Sequence, residues 1–127
     1  PPYRGRAASR AADRMSIVSH KLRQSAGHHD AYCTLQIPGV CGDSTTAKSA
    51  GCVLCHIRLA GEVGGAQKPD DTCAAFGCGP CHTHFDSNGV RGLVRGSEEW
   101  LFYAIRGMAR TLRWWHQHGF LTIKGEE

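Results

Sequence analysis

Seven cysteines in 127 residues, at positions 33, 41, 52, 55, 73, 78 and 81, constrain this chain more than any other feature. An odd number cannot all close as disulfides within one chain. The N-terminal residues are rich in Arg, Ala and Ser, with no continuous apolar stretch of the kind that directs export. The expected compartment is therefore the cytoplasm, where thiols stay reduced and clustered cysteines serve as metal ligands, for zinc first of all. A chain of this length holds one core rather than two, and with 41% apolar residues a metal staple is a natural complement to it. The apolar runs are a few residues long, which predicts no membrane-spanning segment. Fifteen Lys and Arg against eleven Asp and Glu give a formal charge of +4 and a pI near 8.8, a mild bias toward a polyanionic partner such as DNA.

The stretch Cys78-Gly79-Pro80-Cys81-His82 admits three chemistries. Thioredoxin-type exchange needs the first cysteine at a helix start after a buried strand, within alternating β and α units, and no such alternation is present. Covalent haem attachment is matched here and again at Cys52-Val53-Leu54-Cys55-His56. It requires an export route and usually a sixth ligand, and only Met15 and Met108 offer a thioether, so no haem is expected. Zinc remains. Four thiolates around a tetrahedral ion come most naturally as two pairs of short spacing, and Cys78 with Cys81 is one of them. The second is either Cys52 with Cys55, giving a zinc ribbon, or Cys33 with Cys41. Spacing favours the ribbon; the Ile37-Pro38-Gly39-Val40 turn between Cys33 and Cys41 favours the other pair, since the segment around Cys55 contains no turn residue.

The coarse organisation is a flexible basic arm over 1–14 and a single domain over 15–127. Met15-Ser-Ile-Val to Gly27 has the spacing of a short amphipathic helix, with Ile17, Val18, Leu22 and Ala26 on its apolar side. Residues 32–37 alternate as a strand ended by Pro38-Gly39, and 53–59 read as a second strand. Loops follow at 42–51 and 60–71, and a short helix is expected after Pro80. Ser97 caps a long helix with Glu98 and Glu99 at its positive end, Gly119 as its stop, and Leu101, Ile105, Met108, Leu112 and Trp115 on one stripe. No repeat of solenoid period is present.

In order along the chain, YCTLQIPGVC, CHIRLAG, KPDD, GCGPCH and GMARTLRWW resemble the YbcO-type family of lambdoid prophages, classed as nucleases of the HNH (ββα-metal, His-Me finger) layout. The likeness spans about residues 21 to 121, and its most specific parts are HIRLAG and IPGVC. It implies an α+β domain: a small zinc-stabilised ββα-metal core with an N-terminal helix and a long C-terminal helix. It also implies that Cys33, Cys41, Cys78 and Cys81 hold a structural zinc, with Cys52, Cys55 and Cys73 as bystanders. Cys55 departs from the layout, because many such enzymes place an acidic or histidine ligand just before the catalytic histidine.

Hydrolysis of a phosphodiester needs a base for water, a divalent cation for the developing charge and a scaffold that holds them together. By resemblance His56 is the general base, on the second strand of the hairpin, and His82 is a ligand of a catalytic Mg²⁺ or Mn²⁺. Asp71, His84 and Asp86 are further candidates as ligand or orienting partner. Arg58, two residues from His56 on a strand, would share its face and clamp a phosphate. The plainer readings stand beside these. Asp70 and Asp71 suit an ordinary loop or cap, His28-His29 a solvated loop, and Trp100, Phe102, Trp114 and Trp115 simple packing. Arg106, Arg110 and Arg113 form one flank of the last helix, which is a solvated face or, with Arg91, Arg95 and the basic arm, a track for a phosphate backbone. The expected function is a metal-dependent endonuclease hydrolysing phosphodiester bonds in DNA, on phage replication or recombination intermediates in a bacterial host. The alternative is a non-catalytic, zinc-stabilised module that binds DNA or protein. Oligomeric state is not legible in the sequence.

Overall fold

Two four-residue strands carry the architecture. β1 (Val53–His56) pairs antiparallel with β2 (Ala74–Gly77), so that Val53 faces Gly77, Leu54 Phe76, Cys55 Ala75 and His56 Ala74. A computed structural model describes residues 16–42, 51–59, 69–90 and 92–126. The basic arm at 1–14, Met15, residues 43–50 and 60–68 of the expected loops, and Arg91 lie outside the described residues. Before the sheet comes α1 (His20–Ser25); after it come α2 (Gly79–Asp86) and α3 (Glu98–Gln117). The result is a small mixed α+β domain with one two-stranded sheet and a long C-terminal helix.

The strand pairing differs from the expected one. Residues 32–37 are not a strand: Thr34 and Leu35 donate their amides to a single carbonyl, that of Phe76, at 2.9 and 3.3 Å, and the chain then turns through Gln36 with φ of 45°. A left-handed residue ends any extended ladder, and it turns the 33–41 segment into a loop wrapped over one edge of the sheet. β2 takes the place beside β1, which makes His56 part of the first hairpin strand rather than the second. The expected strand over 53–59 also stops at His56, so Arg58 lies past its end.

β2 is buried along its whole length, Ala74 to Gly77 all at zero or near-zero exposure, because α3 covers it and the 33–37 loop closes its edge. Two glycines make this possible. A Cβ on Gly107 would sit 3.0 Å from the Ala75 Cβ and 3.0 Å from Leu35 Cδ2, and one on Gly77 would meet the Cys55 sulfur. α3 therefore crosses the sheet at near backbone contact at Gly107, where a larger residue forces the layers apart, while one at Gly77 displaces Cys55 and Leu35 beside it. Thr111 crosslinks this crossing: its hydroxyl lies 2.9 Å from that of Thr34 and accepts the Phe76 amide at 3.2 Å. The Thr34 hydroxyl also donates to the Phe76 carbonyl at 3.0 Å, and all four polar groups are buried and mutually satisfied, as a dry interior requires.

α3 buries Trp100, Tyr103, Ala104, Gly107, Thr111, Trp114 and Trp115. The expected stripe is corrected: Leu101 and Met108 are only partly buried and Ile105 is 63% exposed, whereas Trp115 belongs to both faces. The flat Ala/Gly surface of the sheet selects the helix face that carries Gly107 and the aromatic side chains, not the Leu/Ile/Met face. The helix ends as its sequence indicates, with the Ser97 hydroxyl accepting the Trp100 amide and Gly119 turning at φ of 75°.

The N-terminal helix is shorter than its apolar spacing implies. Ile17 and Val18 are exposed, and residues 16–19 lie outside the helix, with an extended Ser19 as the cap of α1. Their backbone is captured by the acidic pair at 70 and 71: the Ile17 amide donates to Asp70 Oδ1 at 2.8 Å, the Ser19 amide to Asp71 Oδ2 at 2.7 Å, and the Asp71 amide to the Ile17 carbonyl at 2.9 Å. No helix among the described residues is long and apolar enough to cross a membrane.

Candidate functional site

The sulfurs of Cys33, Cys41, Cys78 and Cys81 lie within 4.8 Å of one another, and those of Cys41 and Cys78 are 3.9 Å apart. Zinc–sulfur bonds of about 2.3 Å place tetrahedral thiolates about 3.8 Å apart, so the set is sized for a zinc-like ion. Chain geometry builds it in two halves. Cys78 caps α2 and Cys81 lies in its first turn, while Cys33 and Cys41 flank the turn at 37–40. Amides point at the sulfurs: Gln36 donates to Cys33 Sγ at 3.5 Å and Ile37 to Cys81 Sγ at 3.4 Å. The hydrogen bond from the Cys81 thiol, opposed by burial, holds Cys33 down to about 5, and the same contact pushes Cys81 up. One of the four thiols, Cys33, thus favours losing its proton, the form in which a cysteine binds a metal.

The other cysteines stand outside this set. Cys55 alternates with His56 on β1 and faces the core, where burial pushes its thiol well above the ordinary value. Its sulfur is not in the group gathered around Cys78 and Cys81, so the ribbon pairing is not the one the fold assembles. Cys73 donates weakly to the Ile57 carbonyl at 3.5 Å, and Cys52 lines the cleft described next.

On the face of β1 opposite to Cys55, a cleft of about 580 Å³ is lined by Arg23, Cys52, His56, Arg58, His82 and Asp86, with Ala26, Gly27, Val53, Leu54 and Pro69. His56 and His82 therefore open into one space. Asp71 is fully buried behind His56, and its Oδ1 meets His56 Nε2 at 2.8 Å. Its other oxygen accepts the Ser19 amide and, at 2.8 Å, Arg23 Nε. Burial pushes the Asp71 carboxyl up, but the hydrogen bonds from His56, Ser19 and Arg23 together outweigh it and hold the group below its ordinary value. As a carboxylate it can only accept, so the proton of a neutral His56 ring sits on Nε2 and the lone pair on Nδ1.

α2 sorts its residues by face. Cys81 and Phe85, four apart, are buried; His82 and Asp86, also four apart, line the cleft. Asp86 lies 3.8 Å from Arg95. His84 falls off both faces and does not line the cleft; it packs against Gly92, and its carbonyl accepts the Leu93 amide at 3.1 Å. Arg58 is exposed at the mouth. The flank of α3 is not a free basic track: Arg106 donates to the Leu35 and Gln36 carbonyls at 2.9 and 3.1 Å, and Arg110 donates to the Gln36 side chain at 2.9 Å, so both fasten the Cys33 loop. Only Arg113 of the three is exposed. Sequence reasoning missed Arg23, whose link to Asp71 spans 48 residues, and gave Cys52 no place in the cleft.

The family described as "Putative nuclease YbcO" matches residues 20–120. Proteins of that description from Escherichia coli K12 and from Enterobacteria phage 82 are each 36% identical to this chain over 106 residues, covering 79% of it and 95% of the relative. A solved structure titled as a putative bacteriophage protein from Escherichia coli K-12 superposes with a TM-score of 0.56 at 30% identity, covering 78% of this chain and all of that one.

Proposed function

This chain belongs to the YbcO family, and on that premise we propose that it is a metal-dependent endonuclease that hydrolyses phosphodiester bonds in DNA, with His56 as general base. The observation that carries the reading is the His56–Asp71 contact at 2.8 Å, behind a cleft that His82 and Asp86 also line. The buried carboxylate fixes the ring and its tautomer, leaving Nδ1 to take a proton from water, and it stabilises the imidazolium that results. His82 and Asp86, one helical turn apart, are the side chains that would hold Mg²⁺ or Mn²⁺ in the cleft. Bound there, the ion supplies charge stabilisation for the phosphoryl oxygens. Arg23 and Arg58 add fixed positive charge along the walls, where a phosphate backbone would run.

Zinc held by Cys33, Cys41, Cys78 and Cys81 would be structural, pinning the start of α2 to the 33–41 loop and so fixing the face from which His82 projects. The β1–β2–α2 order is in keeping with a ββα-metal core of the HNH kind. Relatives from a phage and from a bacterium support phage DNA intermediates inside a host cell as the substrate class.

A non-catalytic DNA-binding module is favoured by one observation: Cys55 faces away from the cleft, so among the described residues the side chains of ligand type lining it are Cys52, His56, His82 and Asp86, with Asp86 the single carboxylate. Plasmid and branched DNA incubated with Mg²⁺, Mn²⁺ or Ni²⁺ separate the two. The enzyme reading expects nicking that needs the ion and falls by roughly 10²–10⁴ in His56→Ala, the usual worth of a general base. Retained binding with no cleavage under any ion supports the module.

A further inference from the structure

α3 is apolar on two faces, and the sheet takes only one of them. Away from the sheet lie Phe102 at 54% exposure, Ile105 at 63%, an exposed Ala109 and Leu112 at 36%, with Leu101 and Met108 half-buried along one edge. Positions 101, 105, 108 and 112 step by four, three and four, the repeat of a helix that packs along a second helix. Apolar side chains scattered singly over a surface need no explanation, but a row of them on one helical face marks an interaction surface. None of these residues lines the cleft. The row is also held in shape: the Arg106 guanidinium, fastened to the Cys33 loop, lies 5.1 Å over the Phe102 ring.

The charges at its two ends indicate what covers it. Glu98, exposed, stands at the N-terminal end, and Arg113 and His116, both exposed, stand at the C-terminal end. A second copy laid antiparallel, about a two-fold axis between Ile105 and Ala109, sets Glu98 of each helix beside Arg113 and His116 of the other. The same register sets Phe102 against Leu112 and Ile105 against Ala109. The small Ala109 leaves room for the isoleucine, so two such helices can close to the roughly 8–10 Å of packed helices. Antiparallel alignment also opposes the helix dipoles, whereas a parallel pair would bring like ends together and place Glu98 against Glu98.

We propose that α3 pairs antiparallel with α3 of a second copy of this chain through Phe102, Ile105, Ala109 and Leu112, forming a two-fold dimer whose clefts lie outside the interface. So short a row falls below the about 20–30 residues a side of a standard interface, and the association is accordingly weak and concentration-dependent. The dimer does not rest on the nuclease reading.

The test is sedimentation equilibrium of the untagged, zinc-replete full chain over about 5–500 µM, the range of a weak complex. The parent should pass from monomer to dimer, and Ile105→Lys should stay monomeric throughout at unchanged zinc content and helical signal. Glu98→Lys and Arg113→Glu should each weaken the dimer by about tenfold, and the two together should restore it. A parent that is monomeric at every concentration overturns the proposal, whether another stretch of this chain or a different protein covers the row. A dimer that survives Ile105→Lys, or charge reversals whose effects add rather than cancel, overturns it as well. Should Ile105→Lys lose its zinc or its helical signal, methyl NMR of the parent on dilution decides: the Ile105 and Leu112 signals must shift with concentration, and signals that stay in place refute the pairing.

Discussion

Cys81 and His82 are neighbours in the chain and belong to opposite kinds of environment, as do Cys55 and His56. The cysteine of each pair is buried and the histidine opens to the cleft. The cysteine cluster is closed: its sulfurs are held by backbone amides and one another, so its state is set by whether four distant thiols assemble. The cleft is open, and its order depends on one buried carboxylate that gathers His56, Arg23 and Ser19. On the proposed reading a single sheet and helix would serve a structural role on one face and a chemical one on the other, and substitutions on the two faces should then fail differently.

The largest effect belongs to the closed face. Cys33→Ser or Cys78→Ser would remove a proposed zinc ligand from a set whose metal affinity would be coupled to folding, a coupling worth about 10–16 kcal/mol in small zinc domains. Loss of stoichiometric zinc and of cooperative thermal unfolding is expected; a variant that melts like the parent shows that the cluster is dispensable. Asp71→Asn comes next. It keeps the volume but ends the carboxylate's hold on His56 and Arg23, and should cost about 1–3 kcal/mol in denaturant unfolding while zinc stays bound. Cleavage should fall further than that of Arg23→Ala.

Acid tests the same carboxylate. Because Asp71 is held below its ordinary value when folded, its stabilisation is fully present above about pH 4 and is lost as pH falls through the lowered value. The melting-temperature gap between the parent and Asp71→Asn should therefore be wide at about pH 7 and nearly closed at about pH 2. A gap independent of pH assigns the effect to packing. The smallest change is expected from Cys73→Ser, half-buried and outside both sites, within about 1 kcal/mol and with zinc retained.

What the sequence revealed follows from how far each signal reaches. α3 was legible because its caps, Ser97 and Gly119, are local chemistry, and the pairing of Cys33 and Cys41 with Cys78 and Cys81 was reached through resemblance. β2 was not legible: Ala74-Ala75-Phe76-Gly77 has little intrinsic strand character and is a strand only because Gly77 and Gly107 let its neighbours close on it. The buried face of α3 was misjudged for the same reason, since a surface of alanine and glycine accepts bulky aromatics. Asp71 could be named as a candidate but not given its partners, because its meeting with His56 depends on how the chain between β1 and β2 returns. Arg106 and Arg110 were free charges on paper and are consumed by loop carbonyls in the fold.

Ser19 and Arg23 grip the carboxylate oxygen that His56 does not. The orientation of that imidazole is thereby made hostage to whether residues 16–23 are docked. A cut or a bound factor that peels residues 16–23 away would silence His56 from behind, leaving the cleft's outer walls and the cysteine cluster intact.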